Sequence, residues 1–269
     1  MKLSSVLSGS LVVSSIVVGA SLAVVKPAAA ASMTTTTHSY EWQSGSSDPV
    51  SVNDSIGKHK EIQATYATET QGSNILSETF TWNSVFEKKN GNLPDGGWLV
   101  MSDGPNPKTH AKEFAIFYID AVKNKLTAYA YNGENNSKSF KNNPFLGSWD
   151  NILNVVDDGN KRSIGFSVDV AGINSRTDIG SDWKGVKFDS NVGIWFHAAK
   201  NVNATYNANG SLKSFSSTAG WFDSYGDQPL AASTTTVTKE VPEPITGTIA
   251  AISALGMGST LKKRSRKQK

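Results

Sequence analysis

The side chains that could do acid–base chemistry are four histidines and 23 aspartates and glutamates. The chain has neither a Gly-x-Ser-x-Gly nucleophile elbow nor a His-Glu-x-x-His zinc motif. Glycoside hydrolases hold two carboxylates about 5–10 Å apart across the scissile bond. The best local pair, Glu113 and Asp120, is seven residues apart, which directs the two side chains to opposite faces of a regular strand. The residues therefore favour a protein without a local catalytic motif, although distant carboxylates could still converge.

Three other sets of side chains could bind ligands. Asp178, Asp182 and Asp189 have the spacing of calcium ligands in a loop, but Trp183 stands where an EF-hand needs glycine. The acidic run 157–160 is most simply a hairpin turn, so we predict no metal and no cofactor. The seven tryptophans could stack on sugar rings, although most tryptophans are core residues. They are Trp42, Trp82, Trp98, Trp149, Trp183, Trp195 and Trp221.

The histidines give a weaker signal. His38 lies in a Ser/Thr-rich stretch, and His59 and His110 lie in loop-like contexts. His197 alone follows an aromatic strand pattern, and a single histidine there is more often a packing or surface residue than a catalytic one.

These side chains must be positioned by strands, because alternating apolar and polar residues recur every 10 to 15 positions from Glu61 onward. Phe114–Ile119 is apolar at every position, which predicts a strand buried on both faces. Asn-Gly and Asp-Gly turns separate the runs, as at Asn90-Gly91, Asp158-Gly159 and Asn209-Gly210. The pattern predicts an all-β fold, an antiparallel β-sandwich of jelly-roll-like type.

The net charge of the chain differs between its ends and its central part. The formal net charge is +3, but between Ser32 and Glu240 there are 18 Lys and Arg against 22 Asp and Glu. A mildly acidic central domain lacks the basic surface that nucleic acid requires, so we predict no nucleic-acid partner. The chain has no cysteine, which excludes thiol nucleophiles and disulfide cross-links.

The N-terminus has the three parts of a secretory signal. Lys2 precedes an apolar run from Leu11 to Val25, and small residues follow at Ala28, Ala30 and Ala31. We predict an N-terminal signal helix in residues 1–31, cleaved by signal peptidase after Ala30 or Ala31. An uncleaved membrane helix is the alternative, but the run is short and contains serines and glycine.

The C-terminal residues 241–269 also have three parts. Val241, Pro242, Glu243 and Pro244 come first, and an uncharged stretch, Ile245–Leu261, follows. As a helix this stretch would rise about 25 Å, slightly less than a roughly 30 Å hydrocarbon core. The chain ends in basic residues that would stay on the cytoplasmic side of a transmembrane helix. They include Lys262, Lys263, Arg264, Arg266 and Lys267.

This tripartite end resembles the PEP-CTERM sorting signal of bacteria that make extracellular polysaccharide. The motif falls on Pro242, Glu243 and Pro244, preceded by Val241. The resemblance implies recognition by an exosortase-like membrane protease and removal of the tail near the motif. The central segments 97–103, 114–131 and 193–197 also look like domains of cyanobacterial PEP-CTERM proteins, which implies no particular activity. A simple tail anchor is the alternative.

The expected layout is a signal peptide at 1–31, a flexible arm at 32–54, a β-sandwich domain at 55–230, a linker at 231–240 and a sorting and anchor segment at 241–269. We expect an exported protein, transiently anchored in the membrane and then released to the cell surface or extracellular matrix. The expected role is non-catalytic, with extracellular polysaccharide as a candidate ligand. The alternative is a polysaccharide-active glycoside hydrolase or lyase on a jelly-roll scaffold.

Overall fold

The structure is a computed structural model that describes residues 31–107, 114–131, 133–134 and 136–241. Its helical content within these ranges is one 3-10 turn, Ser139–Lys141, and one α-helical turn, Ala171–Asn174. The strands are β1 Ser32–Gln43, β2 Val50–Asn53, β3 Lys58–Gln71, β4 Asn74–Glu87, β5 Gly96–Ser102, β6 Ala115–Asp120, β7 Lys125–Ala130, β8 Phe145–Asp150, β9 Asn154–Asp157, β10 Lys161–Asp169, β11 Asn191–Tyr206, β12 Leu212–Ala219, β13 Trp221–Ser224, β14 Leu230–Ala231 and β15 Ser233–Glu240.

The strands form two sheets, and the paired neighbours run antiparallel. The six-stranded sheet has the order β15-β1-β3-β4-β10-β9. The larger sheet has the order β2-β13-β11-β5-β6-β7-β8, and β12 and β14 also pair with β11. The predicted all-β, antiparallel fold is confirmed. Positive φ angles at Asn90, Gly91, Gly159 and Gly210 place the predicted turns where the sequence indicated them.

The main core lies between the two sheets. On β4, Phe80, Trp82 and Phe86 alternate with more exposed residues, as the period of a strand requires. The ring of Phe80 lies 5.3 Å from that of Phe117 on β6, and the ring of Trp82 lies 5.2 Å from that of Phe196 on β11. Aromatic contacts across the interface therefore hold the two sheets face to face.

A second core covers the outer face of the larger sheet. The long strand β11 has an irregular register after Lys200, where Asn201 has a φ of 56°, and it continues beside β12. Phe215 of β12 packs edge-on against Trp98 and Tyr118 on the outer face. Strands β5, β6 and β7 are consequently buried on both faces, which confirms the prediction made for β6.

The two segments that flank the domain differ from the sequence expectation. The expected flexible arm contains the 12-residue strand β1, and the expected linker contains the eight-residue strand β15. Ser32 pairs with Glu240 and Ser39 with Ser233, so the two strands are antiparallel neighbours. Their Ser/Thr-rich composition suggested loose chain, but threonine is well suited to strands once a partner is present.

No helix among the described residues is both long enough and apolar enough to span a membrane. The predicted signal helix, apart from Ala31, and the predicted transmembrane helix lie outside the described residues.

Candidate functional site

An aromatic groove forms on the outer face of the larger sheet, where β11 lies beside β13. Trp195 pairs with Asp223, and Phe196 pairs with Phe222. Phe196 and Phe222 are buried in the main core, so their neighbours along each strand point to the opposite, outer face. This alternation places His197 and Trp221 on the same face as Trp195 and Asp223.

The four outward side chains line a groove with a volume of about 340 Å³. The His197 ring stacks on Trp98 at 4.6 Å with an interplanar angle of 17°, and it lies 5.5 Å from the Trp195 ring. Trp98 is itself buried in the second core. The imidazole is therefore held by aromatic packing, and Trp221, with 38% of its surface exposed, is open to solvent.

The groove continues past Asp223 toward the loop that follows β13. Asp223 also lines an adjoining depression of about 330 Å³, together with Ser51, Tyr225 and Asp227. Tyr225 is 67% exposed. Two exposed aromatic residues, Trp221 on β13 and Tyr225 directly after it, thus lie on either side of Asp223 in the chain. Trp221 and Tyr225 are four positions apart, which in an extended chain corresponds to roughly 13 Å.

The arrangement suits a neutral, polyhydroxylated ligand. Exposed aromatic faces offer apolar surface to the C–H face of a sugar ring, while carboxylates accept hydrogen bonds from hydroxyls. Among the described residues that line the groove and the adjoining depression, none is Lys or Arg. The acidic lining disfavours anionic ligands, and the open shape favours an extended chain over an enclosed small molecule.

Of the carboxylate pair considered from the sequence, the structure describes Asp120. Asp120 is 1% exposed and accepts a hydrogen bond from the Tyr206 hydroxyl at 3.0 Å and from the Lys123 backbone N–H at 3.0 Å. Burial, together with the Asp120 carboxylate beside it, raises the pKa of Tyr206. Asp120 is therefore a structural residue, and Glu113 lies outside the described residues.

The other histidines are placed differently from the sequence expectation. His59 lies on β3, is buried, and contacts Asp54 through Nδ1 at 2.9 Å, so its assignment to a loop was wrong. His38 lies on β1 and contacts the Thr234 hydroxyl at 2.9 Å. His110 lies outside the described residues.

The acidic loops considered as cation sites are engaged in local contacts. Arg176 donates to both carboxylate oxygens of Asp178, at 2.9 and 2.7 Å, and these hydrogen bonds lower the pKa of Asp178. Asp157 and Asp158 accept hydrogen bonds within the β9–β10 turn. In the part of the chain that the structure describes, no three His, Asp or Glu side chains are grouped as metal ligands.

The tryptophans divide between core and surface. Trp42, Trp82 and Trp98 are buried, whereas Trp149 and Trp183 are partly buried against the main core. The sequence marked Trp221 as a candidate but did not associate it with Trp195, Asp223 or Tyr225. The alternation of each strand places these residues outward, but their assembly depends on the pairing of β11 with β13, which no local pattern reveals.

Two of the residues predicted for processing, Ala31 and Val241, lie at one end of the six-stranded sheet. The Val241 backbone N–H donates to the Ala31 carbonyl at 2.8 Å. The last residue of the predicted signal region therefore lies beside the residue that precedes the Pro-Glu-Pro motif. Outside the described residues lie Ala28, Ala30, Pro242, Glu243, Pro244, Lys262, Lys263, Arg264, Arg266 and Lys267.

Comparisons with known protein families, with curated proteins and with solved structures find no match to this chain.

Proposed function

We propose that this is a secreted cell-surface or exopolysaccharide-matrix protein that binds a neutral polysaccharide without cleaving it. The observation that carries the proposal is the groove in which Trp221 and Tyr225 are exposed on either side of Asp223. An exposed apolar surface rimmed by polar residues is typical of ligand-binding grooves, and here Trp221 and Tyr225 line two depressions that share Asp223.

The scaffold proposed for this role is a jelly-roll-like sandwich. Two packed antiparallel sheets are an architecture that lectin domains also use. The second core, formed by β11, β12 and the outer face of the larger sheet, keeps β11 rigid beneath the groove. A rigid platform lowers the conformational entropy lost on binding, which favours weak, repeated contacts along a polymer.

We further propose export through the N-terminal signal and sorting by an exosortase-type protease. The support comes from the order of parts at both ends: a charged start, an apolar run and small residues, and then Pro-Glu-Pro, an apolar stretch and a basic end. The hydrogen bond between Val241 and Ala31 is compatible with this scheme, because it places both processing points at the same end of the domain.

The decisive experiment for the groove is Trp221→Ala, measured by affinity electrophoresis and sedimentation with the host's own exopolysaccharide. Loss of the exposed indole should weaken binding about tenfold, which corresponds to ~1.4 kcal/mol. Trp221→Phe is the matched control, because it retains an aromatic face and should keep most of the affinity. Equal binding by the Ala variant and the unmodified protein would contradict the proposal.

A polysaccharide-active glycoside hydrolase or lyase is the second candidate. The observation that favours it is the presence of two carboxylates, Asp223 and Asp227, along one depression. If the protein is an enzyme, it should release reducing or unsaturated sugar ends, and Asp223→Asn should abolish this release. Binding without any release of sugar ends supports the non-catalytic proposal.

A further inference from the structure

Within the described part of the chain, the outer edge of β15 pairs with no other strand. β15 is at one end of the six-stranded sheet, and its eight residues are all exposed. Proteins usually protect such an edge with a short strand, a proline, a bulge or charged side chains. β15 pairs with β1 at every position without a bulge, contains no proline, and has charges only at Lys239 and Glu240. This edge is therefore open to another strand.

The other strands at the ends of the two sheet orders are protected differently. β2 and β9 have four residues each, and β8 has six residues and joins β7 through a register shift. Short or irregular edges offer few consecutive backbone groups to a partner. Of these four end strands, β15 has the longest regular edge.

The backbone groups on the open edge belong to alternate residues. The Val241 N–H donates to the Ala31 carbonyl, so the odd-numbered residues of β15 direct their N–H and C=O groups toward β1. The even-numbered residues direct theirs away from the sheet. They are Thr234, Thr236, Thr238 and Glu240.

The open edge has a definite length. Just before it, the Ala232 N–H donates to the Ser190 carbonyl at 2.9 Å and is not available to another strand. The next even-numbered residue after it is Pro242, which has no backbone N–H. The midpoint of the open positions 234–240 is Val237, an apolar residue that is 47% exposed.

A second copy of the same strand fits this edge. In an antiparallel pair with a twofold axis at Val237, Thr234 lies opposite Glu240 of the second copy, and Thr236 lies opposite Thr238 of the second copy. Every outward-directed N–H and carbonyl of the open positions then has a partner, which gives about eight hydrogen bonds. A register shifted to either side would leave some of these groups unpaired.

The side chains are compatible with the same register. Val237 lies opposite its own copy in a non-hydrogen-bonded pair, where facing side chains approach most closely, so its exposed surface becomes covered. Lys239 lies opposite Thr235 of the second copy. The two lysines are four positions apart along the strands, roughly 13 Å, and the two glutamates are farther apart. No like charges therefore face each other.

We propose that two copies of this chain associate through β15, edge to edge and antiparallel, about a twofold axis at Val237. The two six-stranded sheets then form one continuous sheet. A single strand pair buries little surface, so the dimer dissociates on dilution. The dimer presents two copies of the groove, which increases avidity for a polymer without a new contact. The inference rests on β15 and does not depend on the ligand of the groove.

Disulfide trapping tests the register, because the chain has no cysteine of its own. In protein purified from the host, Val237→Cys should form a disulfide-linked dimer on mild oxidation. The Cα atoms of a non-hydrogen-bonded antiparallel pair are about 4.5 Å apart, which is within the range of a disulfide. Thr235→Cys is the matched control. It is also exposed, but it lies roughly 13 Å from its own copy and should remain monomeric in non-reducing electrophoresis.

Thr236→Pro tests whether backbone pairing holds the dimer together. In the monomer this N–H points to solvent, so the variant should keep its circular dichroism spectrum. Sedimentation over a range of concentrations should show a dimer dissociation constant at least tenfold higher than that of the unmodified protein. Combined with Val237→Cys, the substitution should reduce disulfide formation at least threefold.

Three results would overturn the proposal. The first is an unmodified protein that stays monomeric at every concentration. The second is Val237→Cys protein that cross-links no more than Thr235→Cys protein. The third is a disulfide from position 237 to a different host protein in place of a second copy, which would assign the open edge to another partner.

Discussion

At the scale of single residues, the contact between Asp54 and His59 shows how a buried polar side chain is accommodated in an aromatic core. The His59 ring lies 4.9 Å from Phe86 and 6.0 Å from Phe222. Asp54 Oδ1 accepts from the His59 backbone N–H at 3.1 Å and contacts Nδ1 at 2.9 Å. Burial would raise the pKa of Asp54, but the hydrogen bonds from His59 outweigh it, so the pKa falls below 3.8.

A lowered pKa in the folded state makes the contribution of Asp54 dependent on pH. The stabilisation is present above the unfolded-state pKa, about 4, and is lost as the pH falls through the folded-state value. Asp54→Asn should therefore cost roughly 0.5–1 kcal/mol at pH 7, a modest value because the carboxylate is partly exposed. In urea unfolding between pH 2 and pH 7, the difference from the unmodified protein should shrink below pH 4. A constant difference would contradict this account.

At the scale of secondary-structure elements, β15 is an edge strand of the six-stranded sheet. Its residues are exposed throughout, so its stability depends on pairing with β1 more than on burial. The Val241 N–H points toward β1, and this direction repeats at every second residue. The N–H of Val237 therefore points toward β1, and the N–H of Thr236 points away from the sheet.

Proline substitutions on β15 should distinguish the N–H groups that point toward β1 from those that point to solvent. Val237→Pro removes a donor to β1 and should destabilise the domain by about 1–3 kcal/mol. For a domain of this size, each kcal/mol lowers the unfolding temperature by about 2–4 °C. Thr236→Pro, the matched control, removes an N–H that points to solvent and should change the unfolding temperature much less. Equal losses would show that the β1–β15 pairing has a different register.

At the scale of the whole molecule, the folded domain brings its two ends together. Ala31 and Val241 are neighbours, so almost no free chain separates the sheet from Pro242. In the proposed sorting scheme, the domain would stand directly on the membrane surface. Because proline fixes φ and removes a backbone donor, the sequence predicts an extended motif at positions 242–244, the form that a protease can bind.

Replacing Pro242, Glu243 and Pro244 with alanine should leave export intact and block removal of the tail. The full-length form should then accumulate in the membrane fraction of the host. Alanine at Thr246, Gly247 and Thr248 is the matched control and should be processed normally. Mass spectrometry of the surface form decides the question. A mature protein that still carries the basic segment 262–269 would contradict the sorting hypothesis and would support a plain tail anchor.

The sequence alone determined several of the core strands and the turns between them. Apolar alternation and Asn-Gly or Asp-Gly turns act within a few residues, so Phe80 and Trp82 on β4 and the β9–β10 turn were predictable. The continuous apolar run of β6 also predicted burial on both faces. These properties follow from local backbone geometry and from the removal of apolar side chains from water.

Only the tertiary structure decided which strands are neighbours. β1 and β15 are separated by about 200 positions, and their Ser/Thr-rich sequences form strands because each supplies the other's hydrogen-bond partners. The groove depends in the same way on the register of β11 against β13. Pairing between distant segments depends on the packing of the whole core, so it cannot be predicted from a local pattern of side chains.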